Sequence, residues 1–368
     1  MPSPSASTSE AAVRPAPGWR VRPFDPQTED RARWLRYHAY RRLRHVEFDP
    51  QEPLEPDREV EEHARRPWHT EIKKRYAVET DHMMVGYGNV GFTAPGAPEY
   101  ETNKHLAWGH ASVIRPFRRQ GAFRALLEQM HDDMREHEAR VLNLYAGDRE
   151  REGVQCLEHI GATLKQVERE SRLRFTDVDW GEMQHWVDRI AGRAPGYVLE
   201  VWPDHVPEAV IEEYAPARSA MMNLMPWDDL DHGEIVITPK DLREQNERLA
   251  IDGSQHHTCV ARDPDGHIVA VTDVRWRPSG PKKVDQWFTG VHPEARGKGL
   301  GKAIKAKMVQ FLRDRYDPEY IGTENSQTND AMLGINIAMG FKPHREWYAY
   351  QFEIDRIAAY LGREAASE

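Results

Sequence analysis

An internal repeat constrains the fold of this 368-residue chain more than any other feature. Residues 110–130 and 288–308 follow the same plan: a short apolar run, a proline, one or two arginines, a glycine-containing turn and a helical pattern. Arg118 and Arg296 occupy matching positions about half a chain apart. A repeat of this spacing indicates that one domain has been duplicated.

Length and charge agree with two domains and limit the partners. At about 150 residues per domain, the chain is long enough for two cores. The net charge of -10 argues against nonspecific binding to nucleic acid or to anionic membranes. With a mean hydropathy of -0.78 and no long apolar run, we expect a soluble, cytoplasmic protein without a membrane-spanning helix. Cys156 and Cys259 have no CxxC partner and are expected to be reduced core residues.

Each half contains strand and helix patterns in the same order, which predicts a mixed α/β sheet. We expect a disordered tail at 1–17, a first domain at 18–175, a polar linker at 176–194 and a second domain at 195–368. A closing amphipathic helix at 354–364 is expected to pack on the second domain.

The sharpest local signal is the glycine-rich turn at 291–302, which follows an apolar strand and precedes a helical pattern. Such a turn directs free backbone N–H groups and the positive end of a helix dipole at one point, so it predicts an anion site. The alternative is an ordinary strand-to-helix turn with a solvated basic rim. A P-loop is excluded, because GxxxxGK[ST] is absent, and a dinucleotide fingerprint would follow the first strand of a parallel unit.

The turn reads V-x-P-x-x-R-G-K-G-L-G-K, and the run T-E-N-S-Q-T-N-D-A-M-L-G-I-N-I-A-M-G-F follows at 323–341. Both resemble motifs of the Gcn5-related N-acetyltransferase (GNAT) superfamily, in the order found there. The duplicated layout spans nearly the whole chain and is similar to that of tandem GNAT enzymes of the mycothiol synthase type. The resemblance implies two tandem GNAT domains, each a mixed, mostly antiparallel central sheet flanked by helices.

The resemblance also implies acetyl-CoA as cosubstrate and places its site on this sequence. The backbone of Val291 would hold the pantetheine arm and donate to the developing oxyanion. Asn329 would contact the cofactor, although Asn is also a favoured helix N-cap. No metal is expected, because no HExxH or comparable cluster occurs. The expected cofactor-binding residues are Val291, Arg296, Gly297, Lys298, Gly299, Leu300, Gly301, Lys302 and Asn329.

The first copy of the turn departs from this pattern. Phe123 stands where the second copy has Gly301, and a side chain there occupies space that a phosphate would need. The spacing from Pro116 to Gly121 is also one residue shorter than the corresponding spacing in the second copy. We therefore expect that the first domain has lost or altered cofactor binding and that the second is active. A retained, weaker CoA site is the alternative.

Acyl transfer to an amine needs a base, because an alkyl ammonium has a reference pKa of about 10.4. Asp285 leads the candidates, since it aligns with the acidic base of mycothiol-synthase-like enzymes, and Glu324 on the following strand is second. The alternative for Asp285 is a charged residue at a strand end. His256, His257 and His292 are weaker candidates. Because adjacent side chains of a strand point to opposite faces, His256 and His257 cannot both line one pocket.

One departure concerns the general acid. Many GNAT enzymes have a tyrosine where this chain has Asn336, and an amide cannot supply that proton. The thiolate would leave unaided or through water, or Tyr348 or Tyr350 would reach the site. The run 221–231, with Met, Trp and Asp side chains, is a candidate wall of the acceptor pocket, although a polar loop after a buried helix would look the same.

These observations predict a GNAT-type N-acetyltransferase that moves an acetyl group from acetyl-CoA directly to a primary amine of a small molecule, with a carboxylate base. The alternatives are transfer to a protein amine, a different acyl donor, or a noncatalytic CoA-binding regulatory module. The sequence identifies neither the acceptor nor an oligomeric state.

Overall fold

The computed structural model describes residues 18–364 and contains a twelve-stranded sheet in the order β1-β2-β3-β4-β5-β12-β6-β11-β10-β9-β8-β7. The predicted tail at 1–17 lies outside the described residues. The strands are β1 (Arg20–Pro23), β2 (Glu71–Glu79), β3 (Met84–Thr93), β4 (Leu106–Val113), β5 (Val141–Gly147), β6 (Thr163–Arg174), β7 (Val198–Trp202), β8 (Gln255–Arg262), β9 (Ile268–Trp276), β10 (Lys283–Val291), β11 (Tyr320–Ser326) and β12 (Lys342–Glu353).

Helices lie on both faces of the sheet, which is the mixed α/β architecture expected from the alternating patterns. None of them, within residues 18–364, has the length and hydropathy to cross a membrane. They are α1 (Arg31–Phe48), α2 (Asp57–Ala64), α3 (Tyr100–Asn103), α4 (Ala122–Glu136), α5 (Arg151–His159), α6 (Trp180–Asp188), α7 (Ile190–Arg193), α8 (Ile211–Met222), α9 (Pro239–Asp252), α10 (Leu300–Arg315), α11 (Asp330–Met339) and α12 (Ile354–Leu361).

The sheet is mostly antiparallel and repeats one pattern in each half. Strands β4 and β5 pair in parallel in the first half, and β10 and β11 pair in parallel in the second. The outer strands in each half form antiparallel meanders that end at β1 and at β7. The two halves therefore share one architecture, as the repeat predicts.

The two central strands are exchanged between the halves. Strand β6, which ends the first half of the sequence, pairs with β11, from Arg174 opposite Tyr320 to Glu168 opposite Ser326. Strand β12, near the end of the chain, pairs with β5, from Glu353 opposite Val141 onward. The strands β6 and β12 also pair with each other, so hydrogen bonds run continuously across the junction. The proposed boundaries 18–175 and 195–368 divide the sequence, but each part supplies a strand to the other.

The closing helix packs on the first half, contrary to the expectation that it covers the second. Ile357 of α12 lies in one buried cluster with Met130 and Met134 of α4, and Phe352 of β12 joins them. Arg124 of α4 donates a hydrogen bond to the carbonyl of Tyr360 at 2.9 Å. Because β12 lies beside β5, the helix that follows it is delivered to the first half.

Residues 176–194, expected to be a polar linker, form α6 and α7 and contribute to the core of the second half. Met183 and Trp186 of α6 are buried in one cluster with Ile304 and Met308 of α10. The other face of this half is covered by α8, whose Tyr214 packs with Phe288 of β10. The two cysteines are free; Cys259 is buried as expected and Cys156 is half-buried.

Candidate functional site

The glycine turn of the second half follows β10 and starts α10. Gly297 and Gly299 have φ angles of 77° and 88°, a region that favours glycine, and Gly299 is the N-cap of α10. No side chain caps this helix, so its first N–H groups are open to a ligand. Arg296 stabilises the turn by donating from Nε to the carbonyl of Val291 at 3.2 Å.

The turn carries three basic side chains. Within the described chain, Arg296, Lys298 and Lys302 form no ion pair; Lys298 donates to the Glu294 carbonyl at 2.9 Å, and Lys302 Nζ lies 4.7 Å from the Trp186 ring centroid. Free cations beside open helix N–H groups form a site for an anion.

The parallel strands beside the turn separate to form a cleft. Strands β10 and β11 pair only from Lys283–Tyr320 to Gln286–Thr323, and a bulge in β10 follows at Gln286/Phe288. The N–H of His292 donates to Val269 on β9 at 2.8 Å. Because successive N–H groups of a strand point to opposite sides, the N–H of Val291 is directed toward the open cleft.

The two candidate bases have different surroundings. Asp285 opposes Gly322 before the strands separate, and its carboxylate is paired with Lys283 at 3.0 Å and Arg277 at 3.4 Å. Glu324 lies on β11 beyond the last parallel pair, reaches solvent, and forms no hydrogen bond or ion pair with the described residues. Partial burial, followed by repulsion from Glu168 and Glu170, raises the pKa of Glu324 to about 7.

Two residues of the first half, which were not among the predicted site residues, lie close enough to Glu324 to interact with its charge. Glu168 lies on the exchanged strand β6, and burial together with Asp228 raises its pKa. Tyr145 lies on β5, and burial with the charges of Glu168 and Glu324 raises its pKa to about 12. The alternating glutamates of β6 were visible in the sequence, but the sequence did not show that β6 pairs with β11.

The segment predicted to line the acceptor pocket folds against β11. Asp228, with a φ of 53°, accepts a hydrogen bond from Ser326 Oγ at 2.8 Å. The Trp227 ring lies 4.1 Å from the ring of His232. Met221, by contrast, belongs to α8 and is buried in the core beneath this helix. The carboxylate end of the run, and not its methionine end, therefore borders the cleft.

The corresponding turn of the first half has the same backbone. Arg118 Nε donates to the carbonyl of Val113 at 2.9 Å, Gly121 caps α4 with a φ of 87°, and Arg119 has a φ of 61°. The helix begins 178 residues before α10, so both turns have the same length. The shorter proline-to-glycine spacing thus reflects a different position of Pro116 in the turn and not a shorter turn.

The surroundings of the first turn differ from those of the second. Arg118 is paired with Glu47 at 3.0 Å and with Glu152, which neutralises the charge beside the turn. A cavity of about 700 Å³ opens between β4, β5 and α5, with Phe123 and Tyr145 among the side chains that line it. At the second turn, a Cβ on Gly301 would lie 3.1 Å from Ile335 of α11.

Comparisons with known proteins agree with this geometry. The acetyltransferase (GNAT) family model matches residues 221–334. A solved tandem GNAT protein from the clavulanic acid biosynthesis pathway aligns over 91% of this chain and 98% of its own, with a TM-score of 0.70 and 18% identity. Residues 221–334 therefore match the GNAT family, and the chain as a whole has the fold of a tandem GNAT protein. The expected fold of two tandem mixed, mostly antiparallel domains is confirmed.

Sequence relatives are similar over a shorter part. A mycothiol acetyltransferase of Salinispora arenicola is 32% identical over 106 residues, which are 28% of this chain and 34% of that protein. The chain therefore matches about a third of the length of this curated relative.

A second solved structure, a GCN5-related N-acetyltransferase from Sphaerobacter thermophilus, aligns over 92% of this chain and 96% of its own, with a TM-score of 0.61 and 14% identity.

The two tyrosines considered as general acids, Tyr348 and Tyr350, lie away from the cleft. Tyr350 is buried in the first-half core beside Phe352, and Tyr348 packs against the same core with its OH 3.1 Å from Glu346. This is a correction, and it follows from the exchange of β12. Asn336 is buried and donates to Asn325 at 2.7 Å, and Asn329 caps α11 by accepting from the N–H of Met332.

The adjacent histidines lie on opposite faces of β8, as expected. His256 Nδ1 accepts from Gln245 at 2.8 Å, and its ring lies 5.0 Å from that of Trp287. His257 packs against Phe311 on the other face, and burial lowers its pKa to about 3. Both side chains are fully buried, which removes them from direct contact with an acceptor in solution.

Within residues 18–364, one group of side chains has metal-like spacing: Asp263, Asp265 and His267 on the β8–β9 turn. Asp263 Oδ1 accepts the N–H groups of Asp265 at 3.1 Å and His267 at 2.8 Å, so the geometry of the turn accounts for the cluster. That the protein uses no metal stays a prediction.

Proposed function

We propose that this GNAT protein is an N-acetyltransferase that moves the acetyl group of acetyl-CoA to a primary amine of a small molecule, in the second-half cleft. GNAT proteins generally use acetyl-CoA, and the unpaired cations and open N–H groups at the start of α10 suit its pyrophosphate. The proposed contacts are the backbone of Val291, the turn from Arg296 to Lys302, and Asn329. Asn329 also has a structural role, because its side chain caps the N-terminus of α11.

In the proposed reaction, the amine nitrogen attacks the thioester carbonyl, the C–S bond breaks, and the amine proton passes to a carboxylate. The N–H of Val291 is oriented to donate to the oxyanion that develops. The thiolate leaves and receives, through water, the proton that the carboxylate has taken up, so the carboxylate is restored; no described tyrosine of β12 extends into the cleft to supply that proton instead.

Glu324 is the base that the geometry favours over Asp285, and this ranking rests on one observation. Glu324 is an unpaired carboxylate with a pKa near 7, whereas the carboxylate of Asp285 is neutralised by two cations. A base works best when its pKa lies near the operating pH and its lone pairs are free.

The direct test is release of free thiol from acetyl-CoA in the presence of a panel of small primary amines, with each amine product identified by mass spectrometry. We expect amine-dependent thiol release. Slow release that no amine accelerates, together with micromolar binding of CoA, would instead support a noncatalytic coenzyme-binding module. That second candidate is favoured by the buried Asn336 in place of a tyrosine.

A further inference from the structure

Hydrogen-bond acceptors without donors line the junction of the two halves. Glu324 of β11 and Glu168 of β6 lie on the same face of adjacent strands, and neither forms a hydrogen bond or an ion pair within the described chain. Glu170, directly opposite Glu324, is different, because Arg172 lies 2.9 Å away and Arg345 also pairs with it. Two adjacent carboxylates are therefore neutralised unequally.

The cations nearby are already occupied. Arg345 and Lys283 both act on the charge of Glu324, but Arg345 pairs with Asp49 at 2.6 Å and with Glu170. Lys283 pairs with Asp285 at 3.0 Å. Within residues 18–364, these cations therefore act on Glu324 only from a distance, and none forms an ion pair with Glu324 or Glu168.

An independent observation on the same strand face points to a missing donor. Gln166, two residues before Glu168, is 3% exposed, and its Oε1 has no hydrogen-bond partner. Its Nε2 donates to the Pro226 carbonyl at 3.3 Å, and since a carbonyl only accepts, the unpaired atom must be the amide oxygen. A buried acceptor without a partner is costly, so a bound donor would stabilise this site.

We propose that the acceptor is a linear aliphatic diamine, with one amine facing Glu324 and the second, as an ammonium, held by Glu168 and Gln166. This inference rests on the proposed acetyltransferase function, with Glu324 as base. An ammonium carries three donors and no acceptor, which matches a site made only of acceptors. The site is composite, since Glu168 reaches it only through the exchange of β6.

The register limits the length of the diamine. Residues diagonal to one another on adjacent strands are about 7–8 Å apart, which corresponds to amines separated by about three to five methylene groups. The first nitrogen is acetylated as above, and the second keeps its proton and charge throughout the transfer.

The first experiment compares kcat/KM for 1,4-diaminobutane and n-butylamine, with EDTA present to exclude effects of divalent cations. We expect a preference for the diamine of about tenfold or more, in line with a charge-assisted hydrogen bond. Glu168→Gln should reduce this preference to about one. Glu353→Gln removes a carboxylate from an exposed position at the end of β12 and serves as the control with an unchanged preference.

The length of the side chain gives a second, more specific readout. Glu168→Asp keeps the charge but withdraws it by one methylene, so a diamine preference should persist and its optimum should move to a longer diamine. Equal kcat/KM for both amines in the wild type, an equal effect of Glu168→Gln on both, or a higher kcat/KM for a lysine-containing peptide would overturn the proposal.

Calorimetry separates this inference from the proposed function. We expect 1,4-diaminobutane to bind the full chain and Glu168→Gln to weaken its Kd by about tenfold or more. Diamine binding without thiol release would refute the acetyltransferase and leave the diamine site standing. Thiol release with other amines but no diamine binding would refute the diamine site alone.

Discussion

The turn after β10 and the turn after β4 have nearly the same backbone, but their charges differ. In the second half, the three basic residues of the turn have no carboxylate partner among residues 18–364, whereas Arg118 in the first half is paired with two glutamates. The carboxylate Glu324 lies beside the open second cleft, and Tyr145 lies on the corresponding strand β5 of the first. The duplicated backbone therefore carries different side chains and charges in its two copies, and function depends on these and not on the backbone alone.

The largest expected effect concerns the chemistry of the second half. Glu324→Gln should lower kcat about 100-fold or more, because an amide cannot take a proton, while the Kd for CoA changes little. Asp285→Asn should lower kcat less than about tenfold, since its carboxylate is already paired. Steady-state kinetics and calorimetry measure both. A larger loss of kcat for Asp285→Asn would return Asp285 to first place.

The strand exchange predicts that damage to the last strand destabilises the first half. Phe352 of β12 is fully buried in the first-half core, so Phe352→Ala should lower the free energy of unfolding by about 3–5 kcal/mol. Hydrogen exchange should report the loss in β5 and α4. Ile337→Ala, at an exposed position of α11, should change stability by less than about 0.5 kcal/mol. Protection lost only in β10 and β11 would contradict this assignment.

Substitution of Gly301 tests which turn binds the coenzyme. Gly301→Phe copies the first-half residue Phe123 and should weaken CoA binding by about 30-fold or more, because the ring occupies the space beside the helix start. Gly301→Ala places only a methyl group near the flexible end of Ile335 and should cost less than about fivefold.

Titration calorimetry gives the affinity and the stoichiometry of both variants. We expect one CoA per chain in the wild type. If Gly301→Phe still binds one CoA with wild-type affinity, the coenzyme occupies the 700 Å³ cavity of the first half, and the assignment of the active half is wrong.

The smallest expected effect is on the pH profile. A base must be deprotonated, so kcat should fall as the pH drops below about 7, through the pKa of Glu324. The charges that set this pKa come from Glu168, Glu170, Arg345 and Lys283. Glu168→Gln removes a repulsive negative charge, so the inflection should move to lower pH with the same amine. An inflection that stays in place would indicate that another group titrates.

Much of the local structure was predictable from the sequence. The glycine spacing and the apolar periodicity after it predicted the turn and α10, because positive φ angles and helix periodicity are local properties. The Asn329 cap of α11 follows the same logic. The segment 176–194 was wrongly expected to be a polar linker, and its helices α6 and α7 were missed, because its buried residues, such as Met183, are few among polar neighbours.

The residues around the proposed amine-binding site were less predictable from the sequence. Strand-like alternation in β6 and β12 indicates a strand but not its partner, and many pairings satisfy the same pattern. The proximity of Glu168 to Glu324, and the removal of Tyr350 to the first-half core, both follow from which strands pair. Glu168 and Glu324 lie close in space but more than about 150 positions apart in the sequence, so a local sequence pattern could not predict that they meet.

The sequence by itself determined the duplication, the two similar turns and the basic, glycine-rich character of the second, since each depends on residues close together along the chain. Only the tertiary structure decided that the halves share one sheet, that Asp285 is neutralised, and that Glu324 is not. The physical reason is that the pairing of strands and of charges depends on distances in space, which the order of residues does not specify.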